Sequence, residues 1–326
     1  MAIMAPWLAD SATMLVTRVG WFAMTAALVV ADHLYTSRLE KVALAHPSGA
    51  NSVPQPAKAS FHFPFFPFLR TAAQLAWLIL WYPDTYEFNR SFPNLDHLFA
   101  AADQTLFGCQ PSLEFSQAMP QPFWSEAFNL GYWSYYPMMA VLVLVVFIKA
   151  YNARSRNASV FNLQVSAFKS VSALIIASFF LFYVIYIFLP VAGPQFYFEA
   201  VGIDNILCGR FPALGTYFTS HTAALAPPGY TDGFFYQLVA SAQEAGERPT
   251  AAFPSSHIGV STIVLLLSRR HAPKLLYLFL PLWLLLCCAT VYIRAHYLVD
   301  AIAGLVSAPV ILWLAQKVCR PLIKQG

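Results

Sequence analysis

The chain has 326 residues, 58% of them hydrophobic and only 10% charged, with a mean hydropathy of +0.56. Soluble domains carry roughly 25% charged residues, so this much apolar surface exceeds what a water-soluble core absorbs, and the lipid bilayer is the expected solvent. A net charge of only +4 argues against nucleic acid as a partner.

The opening "MAIMAPWLADSATMLVTRVGW" places Asp10 ahead of the first basic residue, Arg18. It lacks a positive n-region and does not read as a cleaved signal peptide. A spanning helix needs about 20 apolar residues, and such runs are read near 13–31, 68–82, 124–148, 168–189, 255–268, 275–294 and 297–316. The first is weakened by Arg18; the second is short and flanked by prolines. The aromatic, proline-broken "FHFPFFPF" (61–68) is expected along the membrane interface. The expected fold is an all-α polytopic membrane bundle of six or seven transmembrane helices. Residues 1–119 are read as N-terminal spans and interfacial helices, and 120–326 as the catalytic bundle.

Loop charges set the orientation. The segments 149–169, 269–274 and 317–326 are basic, and 32–70 carries Arg38, Lys41, Lys58 and Arg70. The segments 83–123 and 190–254 hold few Lys or Arg. Basic loops stay cytoplasmic, and seven alternating crossings satisfy that rule with the N-terminus outside and the C-terminus inside. The five cysteines show no ligand spacing. Cys287 and Cys288 read as packing, whereas Cys109 and Cys208 share the outer side and pair if that side is oxidising.

This arrangement brings three distant stretches, near 190, 255 and 294–300, to one membrane depth at the outer face. In "ATVYIRAHYLVDAIAG" (289–304), His296 and Asp300 are four apart, which on one helix puts their side chains in reach. Such a carboxylate fixes the imidazole tautomer and stabilises the charge that develops on it. Arg294 supplies a cation close by. In "AAFPSSHIGVS" (251–261), Pro254 suits a first helical turn. The free N–H groups of that turn, with the Ser255 hydroxyl, form a phosphate cradle. His257 then stands beside a bound phosphate, able to protonate a leaving oxygen. Two histidines, a carboxylate, an arginine and an anion-binding helix start point to phosphoryl transfer with no metal and no cofactor.

"PSSH" followed by "HYLVDAIAG" resembles the second and third signature motifs of the type 2 phosphatidic acid phosphatase superfamily. The resemblance implies a helical bundle in which His296 attacks phosphorus to give a phosphohistidine, with Asp300 as its orienting partner. It also implies that His257 protonates the departing alcohol and Ser255 binds phosphate. Thr290 stands where that superfamily usually has an arginine, and Arg294, one helical turn nearer the histidine, is the candidate replacement. The first motif is absent; "LPVAGPQFYF" (189–198) holds its place, with Gln195 where a charge is expected. Fewer phosphate-binding cations suit a phosphodiester better than a dianionic phosphate. The pattern Thr290, Tyr292, His296, Tyr297, Asp300, with "DHLFAAADQTLFGCQPSLEF" (96–115) and "YWSYYP" (132–137), looks like the inositol phosphorylceramide synthase branch. That likeness implies a phospholipid donor, a lipid alcohol acceptor such as ceramide, and chemistry on the periplasmic or lumenal side.

Blander readings stand beside these. The pair His296–Asp300 by itself reads equally as a polar staple, Ser255 as a helix cap and Arg294 as an interfacial anchor. Asp96 reads as a cap on an amphipathic segment, His221 has no partner in sequence, and the tyrosines of 132–136 read as an interfacial belt. The loop 190–253 is too long for a plain connector and is expected to roof the site. Alternatives to headgroup transfer are hydrolysis of a lipid phosphomonoester and, from another class, a non-enzymatic lipid transporter.

Overall fold

The computed structural model describes residues 11–45, 65–154 and 158–324, and among them every regular element is helical. Four helices are long and apolar enough to cross a membrane: Tyr135–Ala153, Ala158–Phe188, Pro273–Tyr292 and Leu298–Arg320. The protein is an integral membrane protein with an all-α bundle. The residues 1–10 and 46–64 of the sequence reading, including His62 and the start of "FHFPFFPF", lie outside the described residues.

Two N-terminal helices, α1 (Ser11–Ala45) and α2 (Phe65–Asn89), pack on each other. The arginine that weakened the first span is matched: Arg18 forms a buried bidentate pair with Asp84 of α2, and its guanidinium lies 4.8 Å over the Trp81 ring. A charge taken into a membrane bundle persists only when it is paired in this way. Two short helices follow, α3 (Asp96–Phe107) and α4 (Pro111–Ala118).

The run read as one span over 124–148 is two helices, α5 (Pro122–Trp133) and α6 (Tyr135–Ala153), meeting at Ser134. Proline starts α5, and Gly131 lets it lie on a neighbouring backbone. A Cβ at Gly131 would stand 2.6 Å from the Leu285 carbonyl carbon. Packing, not hydrophobic length, ends the helix there.

The 31-residue α7 (Ala158–Phe188) is about 46 Å long at 1.5 Å per residue, longer than a hydrocarbon core. The central helix α11 (Ser256–His271) is only 16 residues and packs against α6, α7, α12 (Leu276–Tyr292) and α13 (Leu298–Lys324). Two glycines permit this enclosure: a Cβ at Gly259 would meet Phe182 at 2.3 Å, and one at Gly304 of α13 would meet the Ser255 carbonyl oxygen at 2.4 Å.

The long connection between α7 and α11 is folded, with α8 (Pro194–Val201), α9 (Ile203–Leu207) and α10 (Phe234–Gly246). It is tied to the bundle by backbone groups. Tyr230 N donates to Ser125 Oγ at 2.9 Å, and the N–H groups of Phe235 and Tyr236, opening α10, donate to the Glu126 carboxylate at 3.0 Å. Cys109 and Cys208 are free thiols.

Candidate active site

The ends of α2, α6, α7, α11 and α13 converge at one pole of the bundle. There Asn89 Nδ2 donates to the Tyr186 carbonyl, Tyr186 Oη to the Pro254 carbonyl and Tyr135 Oη to the Ser256 carbonyl. These bonds set the entry to α11 and hold His257 in its first turn. The His257 ring is flanked by Tyr132 and Tyr135, each with its centroid 4.6 Å away.

His296 lies in the short connection between α12 and α13. Its Nε2 is 3.3 Å from His257 Nδ1, and the two ring centroids are 5.5 Å apart. Its own Nδ1 is 2.8 Å from the Ala252 carbonyl oxygen. A carbonyl oxygen only accepts, so Nδ1 carries the proton and the Nε2 lone pair faces His257. Burial pushes the His296 pKa down to about 4, against a smaller opposing effect of the Ala252 hydrogen bond. The ring is therefore neutral and nucleophilic at ordinary pH.

The expected arrangement of Asp300 differs. Because α13 begins at Leu298, His296 precedes the helix and the i,i+4 geometry does not apply. Asp300 Oδ2 lies 3.8 Å from His296 Nδ1 and instead accepts the Tyr297 N–H at 3.0 Å. Ala252 takes the tautomer-fixing contact, while the buried carboxylate stays within ion-pair distance of the ring.

Arg294 differs for a related reason. The helix α12 ends at Tyr292, and Arg294 sits in the left-handed region at φ +66°, a conformation that costs a non-glycine residue of order 1 kcal/mol. The turn breaks the helical face it was expected to share with Thr290. Arg294 is not among the residues lining the histidine cavity; its buried Nε has no hydrogen-bond partner among the described residues, and its charge acts on Tyr292. Its carbonyl oxygen accepts from Gln195 N at 3.0 Å.

Ser255 is a helix cap whose Oγ accepts from Ile258 N at 3.4 Å, and its N–H donates to the Asp300 carbonyl oxygen at 3.1 Å. The Ser256 N–H donates to Tyr186 Oη at 3.0 Å. Two of the first-turn donors expected to cradle phosphate are thus used within the protein, and Ser256, not Ser255, borders the cavity. Gln195 is buried and does not line the cavity either. Its Nε2 donates to Glu247 Oε1 at 2.8 Å, so it acts on the site through that carboxylate.

Both histidines border a small, partly open cavity with Tyr82, Tyr136, Tyr183 and Glu247. A family model described as PAP2 superfamily matches residues 97–314. The chain belongs to the PAP2 superfamily. Over 97 residues it is 32% identical to the inositol phosphorylceramide synthase catalytic subunit aur1 of Schizosaccharomyces pombe. That match covers 30% of this chain and 21% of that protein, so it spans about a fifth of the curated relative's length. No solved structure matches.

The PAP2 core here has supports that sequence reading missed. Asp96 is not a solvent-facing cap but fully buried. Its oxygens accept from Ala192 N at 2.6 Å, Gly193 N at 2.8 Å and Tyr297 Oη at 2.9 Å. Burial raises its pKa to about 6, against those hydrogen bonds. Asp103, two turns on, accepts from Leu298 N and Val299 N at 2.9 and 3.0 Å, closing the N-terminus of α13. Both hold the strand of chain that carries His296. Glu247 also went unnoticed: it lies ten residues before His257 in a Gly- and Pro-bearing stretch, and no motif marks it.

Proposed function

We propose that this PAP2 superfamily protein moves a phospho-headgroup from a membrane phospholipid to a lipid alcohol through a phosphohistidine. The observation that carries the reading is the 3.3 Å approach of His296 Nε2 to His257 Nδ1 with Nδ1 of His296 committed to the Ala252 carbonyl. His296 Nε2 attacks phosphorus, the P–O bond to the donor's glycerol oxygen breaks, and that oxygen takes its proton from His257. Diacylglycerol leaves. The acceptor hydroxyl then gives its proton to His257 and attacks phosphorus, and the P–N bond breaks. Asp300 stabilises the charge on His296 from 3.8 Å, and Ser255 and Gln195 act as positioning residues. No step calls on a metal ion.

Two features support transfer over hydrolysis of a phosphomonoester. Aromatic rings and alanines make up most of the cavity wall, a lining that limits water at the phosphorus, and among the described residues no Lys or Arg lines it to hold a dianion. The basic ends of the helices lie at the pole opposite the histidines, where Lys149 Nζ donates to the His271 carbonyl oxygen. With basic segments cytoplasmic, the site faces the periplasm or lumen.

The test is purified protein in lipid nanodiscs with headgroup-labelled phospholipid donors, phosphatidylinositol and phosphatidylcholine in parallel, with and without ceramide. A new labelled phospholipid and stoichiometric diacylglycerol are expected, and both disappear in His296→Ala. Water-soluble phosphate alone would establish hydrolysis, and lipid movement that survives His296→Ala would establish the transporter. A chelator is expected to leave turnover unchanged.

A further inference from the structure

The cavity contains a carboxylate that phosphoryl transfer does not need. Glu247 borders the same space as the two histidines, and Gln195 Nε2 holds its Oε1 at 2.8 Å. Among the described residues it makes no hydrogen bond to either imidazole. Its charge acts on Tyr82, Tyr132 and Tyr136, so it belongs to the tyrosine side of the cavity rather than to the reacting atoms. Burial raises the Glu247 pKa to about 7, against the lowering effect of the Gln195 hydrogen bond, so it is ionised only in part at neutral pH, and a positive charge brought by the ligand would hold it ionised beside an anionic phosphodiester. No Lys or Arg lines the cavity to offset it.

The surroundings fit a cation. Tyr82, Tyr136 and Tyr183 border the cavity, and tyrosine faces attract ammonium groups, most strongly where water is excluded. Their hydroxyls are largely spent: Tyr183 Oη donates to the Leu78 carbonyl at 3.0 Å, and Tyr82 Oη points to the carbonyls of Arg248 and Thr250 at 3.5 and 3.4 Å. Thr250 Oγ1 accepts from Asn89. A polyol ring entering this space would leave several hydroxyls without partners, whereas an ammonium or quaternary ammonium group needs only the rings and one carboxylate.

We infer that Glu247, held by Gln195 and set among Tyr82, Tyr136 and Tyr183, selects donor phospholipids whose headgroup carries an amine or quaternary ammonium. The inference rests on the phosphotransferase reading and names its donor class. The cationic group stays attached to phosphorus through both displacements, so the carboxylate binds headgroup and takes no proton.

The experiment measures diacylglycerol release from phosphatidylcholine, phosphatidylethanolamine, phosphatidylinositol and phosphatidylglycerol by the full chain in nanodiscs containing ceramide. The first two are expected to exceed the others at least tenfold in kcat/KM. Glu247→Gln is expected to cut that ratio at least tenfold, chiefly through KM for the cationic donors. Preference for phosphatidylinositol or phosphatidylglycerol, or an unaltered ratio in Glu247→Gln, overturns the inference. Calorimetry of His296→Ala protein with soluble phosphocholine and inositol 1-phosphate needs no chemistry and separates the two ideas. Tighter binding of phosphocholine without turnover of any donor would sink the transferase alone; turnover without cation preference would sink the headgroup assignment alone. If Glu247→Gln fails to fold, the donor ratio and the phosphocholine affinity of the unmodified residue still decide.

Discussion

At the scale of single residues, burial keeps the His296 ring neutral, as the proposed nucleophile must be. Its pKa falls from 6.5 to about 4 in the fold, so between those values the unfolded chain binds more protons than the native one. Stability attached to this group is present above about pH 6.5 and is lost as pH falls towards 4. A 2.5-unit difference corresponds to roughly 3 kcal/mol at 1.36 kcal/mol per unit. Thermal unfolding in detergent between pH 4 and 7 is expected to steepen on the acid side for the native sequence and less so for His296→Ala; identical curves would contradict the shift. In turnover, His296→Ala is expected to lose several orders of magnitude, and His257→Ala to accumulate phosphoenzyme when the donor carries a good leaving group. The absence of an acid-labile phosphohistidine in that variant would count against the scheme. These two histidines were readable from "PSSH" and "HYLVD" because local motifs bring their own chemistry. Glu247 was not, since a lone glutamate in a loop acquires meaning only from what the fold sets around it.

At the scale of elements, the site depends on how closely α13 approaches the start of α11. A Cβ at Gly304 would stand 2.4 Å from the Ser255 carbonyl oxygen, a backbone atom that cannot rotate away. Gly304→Ala is therefore expected to displace α13, lengthen the His257–His296 approach and reduce kcat at least tenfold while the protein still folds; full activity would show that the approach is slack. Asp103→Ala strips the partners from Leu298 N and Val299 N, and each unsatisfied buried donor costs about 1–3 kcal/mol, so a lower melting temperature accompanies a lower kcat. Hydrophobic length predicted where most helices lie but merged α5 with α6. The break at Ser134 follows from Gly131 seating on the α12 backbone, and a run of apolar residues does not reveal which face meets a neighbour. For the same reason His296 and Asp300 meet at an ion-pair distance of 3.8 Å without the tautomer-fixing hydrogen bond, which Ala252 takes, and Arg294 does not share a helical face with Thr290, because the 3.6-residue period stops at helix ends.

At the scale of the molecule, the proposed sidedness rests on the basic segments lying at the pole away from the histidines. Cys208 is exposed in the long connection at the histidine pole, so a membrane-impermeant thiol reagent is expected to label it in intact cells. Labelling only after the membrane is opened would reverse the orientation. The Arg18–Asp84 pair joins α1 to α2, and Asp84→Ala removes the carboxylate from a buried guanidinium, a change that costs up to about 3–5 kcal/mol. That loss would be read as a lower melting temperature and would also disturb Tyr82, which α2 delivers to the cavity. What the sequence by itself determined was the solvent, the helical class and the superfamily, because hydropathy and short motifs are local properties of the chain. Only the tertiary structure decided that Ala252 sets the His296 tautomer, that Asp96 and Asp103 brace its loop, and that Glu247 shares its cavity. Each of those contacts joins residues from separate elements, and the distance between them is set by packing.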